Sequence, residues 1–167
     1  WKGEVGLCTD FPQLAMESFR QTSRIEIGSA VVSILASGGP IAQAERIANT
    51  LQLLAVKGDE RKLHVGFSAG RFEFMARPYG IVPRTPTEEA AWPALRGQIF
   101  LEASEIFLRL LRGDVVHSDE IRSTVLTRDN FRSDGDWEKV QNAHGSKDDS
   151  ITTVSYTHLT LPTTGVV

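Results

Sequence analysis

The spacing of apolar positions changes several times along the chain, and each change marks an element. Thr9-Asp10-Phe11-Pro12 sets a capping residue before a first-turn proline and predicts a helix ending near Thr22-Ser23. Leu14, Ala15, Ser18 and Phe19 form its expected inner face. RIEIGSAVVSIL, residues 24–35, is a short apolar run rich in β-branched residues, which predicts a strand covered on both faces. Ser37-Gly38-Gly39-Pro40 breaks that strand and opens a second helix. Along it Ile41, Ala44, Ile47, Ala48, Leu51 and Leu54 recur at helical spacing. A polar turn over residues 57–62 leads into the strand KLHVGFS, residues 62–68. Strand, helix and strand in that order predict a parallel βαβ unit, because parallel neighbours need a crossover.

Residues 71–93, with Pro78, Pro83, Pro86 and Pro93, read as a long irregular aromatic loop, a kind of segment that is often functional. The strongest helical pattern follows over residues 94–112. Leu95, Ile99, Ala103, Ile106 and Leu110 form one stripe, widened by Phe100, Phe107 and Leu111, and Gly113 supplies the stop. Residues 117–150 are polar and Asp-rich around an isolated Trp137, and predict an excursion with at most one short helix near 135–143.

Composition narrows the class. With 167 residues and a 41% apolar fraction, the chain matches one ordinary domain, or part of a larger one, with a packed core. A net charge of −3 with scattered Lys and Arg provides no basic field for nucleic acid. No apolar run approaches the roughly 20 residues of a membrane span. The single cysteine, Cys8, rules out an internal disulfide framework and fits a reducing, cytoplasmic compartment. It reads as a small apolar residue.

The candidate chemistry is sparse. Gly66-Phe67-Ser68-Ala69-Gly70 matches the G-x-S-x-G pattern after a strand, which in an α/β hydrolase exposes a nucleophilic serine. Asp114 or Asp119, then His144, follow in hydrolase order, yet RFEFMARPYG is too Pro-rich and aromatic for the helix such an elbow needs. His64, His117 and His144 lack metal-ligand spacing, so no metal site is expected, and His64 reads as a hydrogen-bonded strand residue. Glu88-Glu89 and Asp148-Asp149 read as solvated pairs, and Trp92 and Trp137 as packing residues.

The ordered series carries more information than any single motif. TSRIEIGSAVV, a Pro-started helix with AERIANTLQLL, KLHVGFSAGRF, ARPYGI and RGQIFLEASEIFLRLLRGD together resemble the luciferase-like flavin monooxygenases. That family includes bacterial luciferase, alkane-sulfonate monooxygenase and deazaflavin-dependent reductases. The resemblance covers roughly residues 14–114. It implies an α/β fold, a partial (β/α)8 barrel holding about the third and fourth βα units plus an insertion loop. It also implies reduced FMN or the deazaflavin F420 at the C-terminal strand ends, where barrels of this kind place their sites. Residues 25–32 would be the third strand, with a non-prolyl cis peptide at Ala30-Val31, and residues 62–68 the fourth. Ser29, Ala30 and Val31 would back the flavin ring, and Ser68, Gly70 and Arg71 would line the rim. Ala69 stands where many relatives carry a phosphate-anchoring arginine, so that anchor is either lost or displaced to Arg71; Gly39-Pro40 replaces the usual His-Pro. The implied activity is oxidation of a small organic substrate, with no catalytic residue assigned. A flavin reductase partner and a homodimer of the parent protein are left open, as is a non-catalytic flavin-binding relative.

VSYTHLTLPTT, residues 154–164, contains no charged side chain and resembles translated sequencing adapter. The transposon adapter frame GTC TCT TAT ACA CAT CTG ACG CTG CCG ACG encodes Val154 through Thr163 without a mismatch. Residues 1–153 are therefore expected to be the natural part, a partial barrel domain cut at both ends, and 154–167 a non-native tail. A closed barrel needs about 250 residues, so the piece alone is expected to be inactive.

Overall fold

The computed structural model describes residues 10–35, 37–68, 77, 81–117, 120 and 124–153. These form a mixed α/β arrangement with two separate two-stranded sheets. In order they are α1 (Phe11–Gln21), β1 (Ile27–Ser33), α2 (Gly39–Val56), β2 (Leu63–Ser68), α3 (Pro86–Leu111), β3 (Thr124–Thr127), α4 (Asp134–His144) and β4 (Ser150–Thr153). A 3₁₀ turn, Arg128–Asn130, links β3 to α4.

The βαβ unit forms as the pattern predicts. β1 and β2 pair in parallel, Ile27 opposite Leu63 and Ser33 opposite Ser68, with α2 as the crossover. The break before α2 has a backbone cause. Gly38 and Gly39 adopt φ of 90° and 82°, a region that L side chains rarely enter, and Pro40 then starts the helix. Ala44, Ile47 and Leu54 are buried as expected, while Leu51 is 41% exposed. On α1, Ala15 and Phe19 are buried but Leu14 points outward at 52% exposure; Pro12 takes the inner position instead.

Three expectations are corrected. β1 is not covered on both faces: Val31 is 65% exposed, and Ile25 just before it 53%. The third helix starts at Pro86, eight residues before the predicted residue 94. Thr85 caps it by accepting from the Glu88 backbone N–H at 3.2 Å, and the Glu88 carboxylate accepts from the Arg84 N–H at 2.6 Å. Glu88 is thus a buried capping residue and not half of a solvated pair. Pro93 is accommodated inside this 26-residue helix. The loop expected over residues 71–93 is irregular at 81–85 and helical from 86; residues 71–76 and 78–80 lie outside the described ones.

The polar segment 117–150 is also more ordered than expected. It contains α4 where a helix is predicted, but β3 and β4 flank it as an antiparallel pair, Leu126 opposite Ile151. Leu126, Ile151, Trp137 and Val140 pack with Ala91 and Leu95 of α3 into a second core. Phe131 and Trp137 meet with ring centroids 5.4 Å apart, which bears out packing as the role of Trp137. The first core joins Ile34, Leu35, Ala44 and Ile47 to Ile99, Ala103 and Phe107. α3 thus runs through both cores, and Trp92 packs against each.

Candidate functional site

Strand alternation divides the β1–β2 sheet into two unlike faces. Leu63, Val65 and Phe67 of β2 pack against the first core, with the Phe67 ring 5.4 Å from that of Phe107. His64, Gly66 and Ser68 therefore belong to the opposite face, where Gly28 pairs with His64 and Ser33 with Ser68. That face carries no bulky apolar side chain on β2. At its N-terminal end His64 Nε2 lies 2.8 Å from Glu26 Oε2, as expected of a hydrogen-bonded strand histidine. The hydrogen bond to His64 holds the Glu26 carboxyl below its usual range.

The pairing is interrupted in the middle. Ser29 opposes Val65 and Val32 opposes Phe67, so Ala30 and Val31 together face the single residue Gly66. This is a β-bulge, which leaves ladder groups unpaired and kinks its strand. Ser29 compensates. Its hydroxyl accepts from the Gly66 N–H at 2.9 Å and donates to the Gly66 carbonyl at 3.1 Å. Gly66 must remain small, because a Cβ there would lie 2.7 Å from the Ala30 carbonyl oxygen and 3.1 Å from that of Ser29. The first glycine of G-x-S-x-G is thus required by the bulge, independently of any nucleophile at Ser68.

The structure brings four of the six sequence-predicted residues, Ser29, Ala30, Val31 and Ser68, onto this strand pair. Ala30 and Val31 are exposed, and Ser29 and Ser68 are half-buried. Gly70 and Arg71, the rim and anchor residues, lie outside the described residues, as do Ala69 and Cys8. The cis peptide expected at Ala30-Val31 is corrected: the described backbone contains no cis bond, and the bulge supplies the local irregularity instead. The link between Ser29 and Gly66 is absent from the sequence reading. A glycine one position beyond the partner of a hydroxyl residue on the neighbouring strand is its signal, visible once the register is known.

The described hydrolase candidates lie on separate elements. Asp114 pairs with Arg112 at 3.5 Å, and Asp119 lies outside the described residues. His144 is exposed in the last turn of α4, an element of the second core, whereas β2 belongs to the first. Among the described residues no three His, Cys, Asp or Glu side chains gather as a metal site. No described helix is long and apolar enough to cross a membrane.

Two other polar clusters hold the frame. Arg61 donates to Asp59, to the Phe19 carbonyl at 2.7 Å and to the Thr22 carbonyl at 2.9 Å, and its guanidinium lies 4.6 Å from the Phe19 ring centroid. It ties the end of α1 to the turn before β2. The hydrogen bond from Arg61 lowers Asp59 to about 2. Arg109 of α3 holds the Glu120 carboxylate and donates to the Val115 carbonyl; the hydrogen bond from Arg109 lowers Glu120 to about 2. Beside that pair a cleft of about 530 Å³ opens between α3 and β3, lined by Leu101, Glu105, Val116 and Val125 among others. It is remote from the bulge in sequence and belongs to different strands.

The fold and site together define an α/β protein with a parallel βαβ unit and a bulged, glycine-floored strand pair. No protein-family model, curated protein or solved structure matches the chain.

Proposed function

We propose that this chain is part of a flavin-dependent oxidoreductase of the luciferase-like kind, its βαβ unit being two neighbouring units of a (β/α)8 barrel. One observation carries the reading. The bulge at Ala30-Val31, opposite a glycine where a Cβ would force the backbone to shift, falls where the family resemblance puts the backbone behind a flavin ring. The residues fit a planar ring. Gly28, Ala30 and Gly66 contribute at most a methyl group each, and the exposed Ala30 and Val31 leave backbone and apolar surface open to it. A further support is the exposure of the strand pair. Among the described residues the parallel sheet has two strands with Val31 65% exposed, whereas parallel sheets are ordinarily buried on both faces.

Reduced FMN or F420, when bound, supplies the electrons or hydride for oxidation of a small organic substrate. Ala30 and Val31 would support the ring from behind and exclude water from that face. Ser68 would border it, with Gly70 and Arg71 following in sequence toward the phosphate. None of these is placed as an acid or base. The 167-residue piece alone would be inactive, since a closed pocket needs the later strands. The test compares Ser68→Ala with the unaltered complete protein, in assays of flavin-coupled oxidation and of ester hydrolysis. Oxidation that survives the change, falling about tenfold or less, is expected from loss of one hydrogen bond. An esterase abolished by Ser68→Ala would replace this reading with a serine hydrolase.

A further inference from the structure

Within the strand pair Ser29 stands apart from Ala30 and Val31. Its hydroxyl has one proton to donate and lone pairs to accept, and the Gly66 peptide groups engage both functions. We propose that Ser29 is a positioning residue. By standing in for the ladder bonds that the bulge removes, it holds the Ala30-Val31 backbone in a fixed outward step, and it does not itself address a ligand. The ligand class, a planar heteroaromatic ring resting on that step, depends on the flavin reading above; the positioning role does not.

The geometry explains why both partners are needed. Two residues on β1 oppose one on β2, which disrupts the ladder locally, and the Ser29 hydroxyl bonds both the Gly66 N–H and its C=O at that point. The carbonyl oxygens of Ala30 and Ser29 lie 2.7 Å and 3.1 Å from where a Cβ on Gly66 would sit. A serine side chain is short enough to reach back across this gap, and threonine keeps the same hydroxyl on a strand-favouring residue. Alanine removes it and leaves two backbone groups without the partner they now have.

The experiment uses the 167-residue chain labelled with ¹⁵N, as wild type, Ser29→Ala and Ser29→Thr. Amide exchange at Gly66 reports the bulge, and a titration with FMN to millimolar concentration reports contact at the Ala30 and Val31 amides. Exchange at Gly66 should accelerate by about two- to tenfold in Ser29→Ala, the equivalent of one lost hydrogen bond, and return toward wild type in Ser29→Thr. FMN-induced shifts at Ala30 and Val31 should weaken in Ser29→Ala and recover in Ser29→Thr. Unchanged Gly66 exchange in Ser29→Ala overturns the positioning role, whatever FMN does. If Ser29→Ala does not fold, the wild type still decides: a Gly66 amide that exchanges as fast as an open loop overturns the role. Accelerated Gly66 exchange in Ser29→Ala, with no FMN shift at Ala30 or Val31 in wild type, keeps Ser29 as the support of the bulge and removes the ring from the step of this chain.

Discussion

Gly66→Ala should be among the most damaging single-methyl changes in this protein. The added Cβ would sit 2.7 Å from the Ala30 carbonyl oxygen, 3.1 Å from the Ser29 carbonyl oxygen and 3.4 Å from the Ala30 carbonyl carbon. All three are backbone atoms, so no rotamer change relieves the contact. Relief requires β1 and β2 to separate, which stretches both Ser29–Gly66 hydrogen bonds. Overpacking of this kind costs about 1–3 kcal/mol, and a weakened hydrogen bond about 0.5–1.5 kcal/mol more. The expected loss is therefore about 2–4 kcal/mol, a large share of an ordinary domain's stability. Urea unfolding followed by tryptophan fluorescence measures it, with Gly97→Ala as the control. Gly97 lies inside α3, and a Cβ added there would meet no neighbouring group within 4 Å, so alanine should stabilise by about 1 kcal/mol. A Gly66→Ala protein within about 0.5 kcal/mol of wild type, the range of neutral surface changes, would refute the close approach at the bulge.

Other consequences follow from the two cores and the ion pairs. Trp137→Ala removes a ring that is 7% exposed and packed against Phe131, and should cost about 3–5 kcal/mol by the same unfolding assay. Asp59 and Glu120 both have folded-state values lowered to about 2. Their contribution to stability is present above the ordinary carboxylate range, near about 4, and is lost as pH falls from there toward about 2. Unfolding measured from about pH 5 to about pH 2 should show that decline, and Asp59→Asn should flatten part of it. Deleting residues 154–167 should change stability by no more than about 0.5 kcal/mol, the outcome expected of the adapter translation that their sequence resembles. A larger loss would contradict that origin.

The βαβ unit is legible in the sequence because its signals are local and strong. Gly38-Gly39 permits the positive-φ break and Pro40 starts the helix, and the α2 stripe returns at helical spacing. Prolines obscure the start of α3. Pro86 and Pro93 read as breakers, yet Pro86 occupies the first turn, where its missing N–H is harmless, and Thr85 with Glu88 supplies the cap. β3 and β4 are hidden because each has only four residues, and their apolar partners Leu126 and Ile151 are separated by a polar helix. Burial of those strands depends on α3, a contact between distant segments that no local window records. At the candidate site the small residues Ser29 and Ala30 are evident in the sequence, but the bulge is not. Register across two strands determines it, and alternation within one strand cannot reveal a two-against-one mismatch.

The flavin proposal stands or falls on a spectral titration of FMN and F420 against two proteins, the complete protein to which this chain belongs and residues 1–153 alone. In the proposed barrel, flavin would rest on the Ala30-Val31 step, and a closed pocket would need further parallel strands beside β1 and β2. Saturable binding of one of the two cofactors to the complete protein is expected, with none in the submicromolar range to residues 1–153. Submicromolar binding to residues 1–153, or a complete protein that binds neither cofactor, would contradict the proposal.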